Sequence, residues 1–103
     1  MNTPLVIHQQ AVWYQSNEAP EQTFRGVLRL RQQGRSPGGR DLPFFLELDV
    51  RTIDIYPGTK ANLLEPFVDQ EVEIRGKLVD LRPEGFGTEL WPRAVTVHSS
   101  PAR

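Results

Sequence analysis

The run Glu71-Val72-Glu73-Ile74-Arg75-Gly76-Lys77-Leu78-Val79-Asp80-Leu81 limits this chain more than any other stretch. Val72, Ile74, Gly76 and Leu78 fall on one face of an extended chain, and Glu73, Arg75 and Lys77 fall on the other. That is the period-two signature of a half-buried strand. Gly76 interrupts the apolar row without a side chain to pack. In a strand such a glycine marks a bend, a bulge or a close backbone approach, as where a small barrel coils tightly.

A chain of 103 residues has room for one modest core, burying roughly 65% of its unfolded surface. It contains no cysteine, so neither a disulfide framework nor a thiolate metal site is available and packing must hold the fold. Met1-Asn2-Thr3-Pro4 leads into a short apolar run without a basic flank. No signal peptide and no membrane span is expected, and the cytoplasm is the default location.

The remaining elements follow in order. Leu5–Tyr14 carries strand formers and is assigned as an edge strand, and Asn17–Glu21 as a polar loop that Pro20 keeps out of a ladder. Thr23–Gln32 alternates, with Phe24, Gly26, Leu28 and Leu30 inward and Arg25, Val27, Arg29 and Arg31 outward. Gln33–Asp41, rich in glycine, is assigned as a mobile loop. Phe44, Leu46, Leu48 and Val50 then point inward with Phe45, Glu47 and Asp49 outward, followed by Ile53 and Ile55 inward and Asp54 and Tyr56 outward. Pro57-Gly58 ends that strand. Thr59 is a plausible N-cap for the one short helix, whose Leu63 and Leu64 would cover a barrel end before Pro66 stops it. After the Glu71 strand and the turn Arg82–Gly87, Thr88–His98 forms the last strand, in which Pro92 implies an edge or a bulge. The division is an N-terminal strand and loop over 1–22, a barrel over 23–98 and a loose tail over 99–103.

This order, and above all Leu63-Leu64-Glu65-Pro66-Phe67-Val68-Asp69-Gln70 leading into Glu71–Leu78, resembles the third strand, connecting helix and fourth strand of OB-fold proteins, including small bacterial ones of unassigned role. The fold class is therefore all-β, a five-stranded OB-fold-like barrel with an extra N-terminal strand. The resemblance implies that a ligand would lie across the outer face of the second and third barrel strands, flanked by the loops joining strands one and two and strands four and five.

Formal charge is −1 overall, but Thr23–Arg51 holds six arginines against three acids. With the face that the resemblance indicates, this gives a candidate nucleic-acid-binding set of Arg25, Arg29, Arg31, Arg35, Arg40, Phe45, Tyr56, Arg82 and Phe86. Aromatic planes would stack bases, at about 1–3 kcal/mol each, while cations track phosphates. Glu47, Asp49 and Asp54 on the same face would repel a polyanion, and they suit cross-strand ion pairs with the arginines equally well. Phe24, Phe44 and Trp91 are assigned to the core. Trp13 and Tyr14 either secure the N-terminal strand or meet a partner.

Catalytic signals are weak. His8 and His98 are far apart in sequence, Gly34–Arg40 lacks the Lys-Ser/Thr ending of a phosphate-binding loop, and Ser36 has no nucleophile-elbow context. No enzyme activity, cofactor or metal is expected. Two readings stay open: a single-stranded nucleic-acid binder, or a protein-interaction or self-assembly module that adds a partner to an edge strand.

Overall fold

A computed structural model describes residues 4–31 and 42–98. Six strands order as β1 (Leu5–Val6), β2 (Glu21–Leu30), β3 (Phe44–Glu47), β4 (Thr52–Ile55), β5 (Glu71–Asp80) and β6 (Thr88–Val97). Neighbours run β1-β6-β4-β3-β2-β5, and β5 also pairs with β6, closing β2 to β6 into a five-stranded ring with β1 bonded outside it. β4 and β6 are parallel, with Ile55 opposite Leu90; the other pairs are antiparallel. The architecture is the expected OB-fold-like barrel. Among the described residues no helix is long and apolar enough to cross a membrane.

Inward side chains seal the ring. Phe24, Leu28, Phe44, Leu46, Ile53, Ile55, Val72, Ile74, Leu90 and Val95 are buried in one cluster. Leu64, on the single helical turn α2 (Ala61–Leu64), closes one end, and Leu63 packs beside it. Lys60, not Thr59, occupies the N-cap of α2, without a side-chain cap bond. Pro66 sits in the 3-10 turn Glu65–Phe67, where its missing N–H costs nothing.

Leu90 and Val95 both face the core although they stand five positions apart, so β6 must gain one residue against a strict alternation. It does so opposite Gly76: Arg75 pairs with Ala94 and Gly76 with Pro92, leaving Arg93 as the bulge. A Cβ on Gly76 would stand 2.2 Å from the Trp91 carbonyl oxygen, and one on Gly26 2.4 Å from that of Glu47. Both positions are fixed as glycine by backbone approaching backbone.

Four local expectations are corrected. The N-terminal segment is a strand only at Leu5–Val6, and Val12–Gln15 forms a second helical turn, α1. Val50 is 91% exposed because β3 ends at Glu47 and the chain reverses through Leu48–Arg51, closed by a Leu48 N–H bond to the Arg51 oxygen. Leu30 is exposed at the rim, since pairing with β5 stops at Val27 and leaves β3 as its only neighbour. Trp91 points outward, as its position next to inward Leu90 requires.

The segment after β1 runs from β6, where the Ile7 and His8 N–H groups bond the Arg93 and Pro92 oxygens, to the outside of β5 at Tyr14–Asn17. Lys77, 7% exposed, donates from Nζ to the carbonyl oxygens of Tyr14 at 2.6 Å and Asn17 at 2.7 Å, and its ammonium sits 4.5 Å from the Tyr14 ring centre. The Tyr14 hydroxyl donates to Glu21 at 2.9 Å, and Arg93 and Arg75 donate to the same carboxylate at 2.8 and 3.2 Å. Burial pushes the Glu21 carboxyl up, but these three donors outweigh it and hold it below its ordinary range.

Candidate binding surface

The described arginines of the candidate set each pair with an acid of the chain. Arg25 lies 2.8 Å from Glu71; Arg29 bridges Glu47 at 3.0 Å and Asp69 at 2.9 Å. Arg31 reaches Asp54 at 2.5 Å, donates to the Leu42 oxygen, and covers Phe45 with its guanidinium 5.0 Å from the ring centre. Burial raises the Asp54 carboxyl even against that guanidinium. Arg82 grips both oxygens of Asp80, holding that carboxyl down at about 2. Arg35 and Arg40 lie outside the described residues, as do the loop tip around them and the tail 99–103. The cross-strand alternative thus describes Glu47 and Asp54, whereas Asp49 lies in the turn after β3. Phe45 is half-buried, with the Arg31 guanidinium over its ring.

Tyr56 and Phe86 are brought together, but on a different side. Parallel pairing of β4 and β6 continues through a bond from the Tyr56 N–H to the Leu90 oxygen, 3.0 Å, so Tyr56 and Trp91 emerge side by side on the outer face. Their ring centres are 6.1 Å apart. The α1 turn sets Trp13 against both, 5.6 Å from Tyr56 and 5.2 Å from Trp91, at interplanar angles of 74° and 86°. Phe86, from the β5–β6 loop, completes the wall of a pocket of about 380 Å³ shared with Trp13, Tyr56, Leu81, Glu84 and Trp91. Trp13 is 41% and Phe86 36% exposed.

A second pocket, about 560 Å³, lies on the other side of the Trp13 and Tyr56 pair, with His8, Gln10, Gly58 and Lys60 in its wall. His8 is buried beneath Trp13, ring centres 4.7 Å apart, and its Nε2–H donates to the Tyr56 oxygen at 3.0 Å, which assigns the proton to that nitrogen. Burial, assisted by Lys60, lowers the His8 pKa against the opposing pull of that bond.

The groove therefore draws its rings from three separate parts of the chain: the N-terminal extension, the β4 and β6 faces, and the β5–β6 loop. Sequence reasoning found Tyr56 and Phe86 and missed Trp13, Trp91 and His8 as their companions. For Trp91 the signal was present, because the residue after an inward leucine on a strand faces out. For Trp13 and His8 no local pattern announces the contact. Among the described residues no group of three or more His, Asp and Glu side chains converges as a metal site. No family model matches the chain, and searches of curated proteins and of solved structures likewise return no match.

Proposed function

We propose that this protein is a non-catalytic binding module that holds a segment of another protein in the aromatic groove. The observation that carries the reading is the convergence of Trp13, Tyr56, Phe86 and Trp91 on one outer face, with two of the rings substantially exposed and pockets on either side. Exposed aromatic clusters with adjoining pockets are the residue type and shape that dominate protein-contact energetics. His8 bonds the Tyr56 carbonyl oxygen beneath the groove, and His98 bonds Glu73 at 2.8 Å. An edge-pairing mode is the weaker version of this reading, because β1 offers only two residues of ladder.

Single-stranded nucleic acid is the second reading. It is favoured by the meeting of Tyr56 and Phe86 beside the β5–β6 loop, which in OB-fold proteins borders the ligand. It is disfavoured by charge, since Arg25, Arg29, Arg31 and Arg82 each face a carboxylate of the chain. Nucleic-acid affinity rests largely on unneutralised cations.

Random-peptide display on the full chain, counter-screened with Trp13→Ala, separates the two. Enrichment of a peptide consensus that Trp13→Ala abolishes supports the proposal. Tight, salt-sensitive binding of labelled oligo-dT with no peptide enrichment replaces it with the second reading.

A further inference from the structure

The geometry points to a proline-rich segment in the polyproline II conformation, carrying a basic residue at its Glu84 end, as the ligand of the groove; this rests on the protein-binding reading above. Three features carry it, and the first is ring orientation. Trp13 stands nearly perpendicular to Tyr56 and to Trp91, with centres 5.2 to 5.6 Å apart. A base stack needs parallel open faces, whereas rings meeting at right angles form notches into which a pyrrolidine ring packs against a face and an edge at once.

The second is repetition. The two pockets lie side by side and share Trp13 and Tyr56 as the ridge between them. A polyproline II helix has three residues per turn, projects side chains in successive rows, and loses little entropy on binding because it is already extended. Its carbonyls have no internal partners. The Trp13 indole N–H, on an exposed ring and bonded to no described residue, and the Gln10 side chain in the neighbouring wall are donors suited to them.

The third is charge. Glu84 is exposed at the wall of one pocket and Lys60 at that of the other. Nearby, Arg82 is matched by Asp80, so the loop end is net acidic. The groove is bipolar, which suits a ligand with a cation at one end and is a poor match to a uniformly anionic strand.

The test uses the full chain and synthetic hexaproline peptides bearing a single arginine, or a single aspartate, at either terminus. Binding is read from tryptophan fluorescence and amide shift changes. One arginine peptide is expected to bind several-fold more tightly than its aspartate counterpart, and Glu84→Lys to invert that preference. Trp13→Ala should weaken binding about 30-fold and Phe86→Ala about 10-fold; Phe86, on a loop, keeps the test valid should Trp13→Ala loosen the extension. No shift change at the groove with about 1 mM peptide overturns the inference. So does oligo-dT binding at the groove with no proline-peptide binding. A display consensus that lacks proline yet needs Trp13 overturns this inference alone and leaves the protein-binding reading standing.

Discussion

Two sides of one barrel carry most of what could contact a partner, and they are built on opposite logic. The flank formed by β2 and its neighbours alternates apolar and basic residues, and its described arginines Arg25, Arg29 and Arg31 pair with Glu71, Glu47, Asp69 and Asp54. The side formed by Tyr56, Trp91, Phe86 and Trp13 leaves large apolar rings partly open, although covering such surface from water is favourable. Charge density, the more conspicuous feature in the sequence, marks the side that has satisfied itself. Ring exposure, invisible in the sequence, marks the side that has not.

The sharpest break in this contrast is Gly76→Ala. Its new Cβ would lie 2.2 Å from the Trp91 oxygen, so β5 or β6 must move at the point where the aromatic side is built. A loss of about 3 kcal/mol is expected in urea unfolding, together with a changed tryptophan emission in whatever remains folded. A neutral result would mean that the bulge is loosely made and that Trp91 is not held by it.

Next in size is Lys77→Met, which removes the ammonium donor from the Tyr14 and Asn17 oxygens and leaves the Tyr14 oxygen only its 3.3 Å bond from the Asn17 N–H. A cost of about 2 kcal/mol follows. It should be local: hydrogen exchange quickens over residues 11–17 while the β2–β5 ladder keeps its protection, and groove binding falls because Trp13 is no longer placed. If exchange quickens everywhere alike, the extension is an integral part of the barrel and not a piece laid on it.

Arg29→Ala tests the other side. Its pairs with Glu47 and Asp69 are exposed, so salt and solvent screen them, and the stability change should stay within about 1 kcal/mol by thermal unfolding. Binding at the groove should be untouched. A large loss of oligo-dT binding in this variant would return function to the arginine flank.

These cases also show what could be read from the residues alone. The barrel was legible because closure is written in a period-two pattern, and Gly76 and Pro92 announced the bulge from both strands. The arginine pairings were half legible: the types were visible, but register decides partners, and Arg25 faces Glu73 in the ladder yet bonds Glu71 one step along. The extension was not legible beyond Val6. Leu5-Val6-Ile7 and Val12-Trp13-Tyr14 look alike to a strand pattern, and only contact with Lys77 and Glu21 turns the second run into a helical turn. Long-range contacts of that kind leave no local periodicity.

The smallest expected effect separates the two sides by pH. Neutral His8 donates to the Tyr56 oxygen beneath Trp13, and burial lowers its pKa below the ordinary 6.5. Between 6.5 and that lowered value the unfolded chain binds a proton that the folded chain does not, so stability rises with pH there. The contribution is complete above about pH 6.5 and is lost as pH falls through that window. Asp80, held at about 2 by Arg82, stays ionised throughout that range. Acidification from pH 7.5 to 5 should therefore lower Tm through the aromatic side first, with a shift in tryptophan emission accompanying the drop. In a His98→Gln background, which leaves one histidine, His8→Gln should flatten that part of the Tm profile. A slope that persists in the double variant would place the sensitive proton elsewhere and detach the groove from the histidine under it.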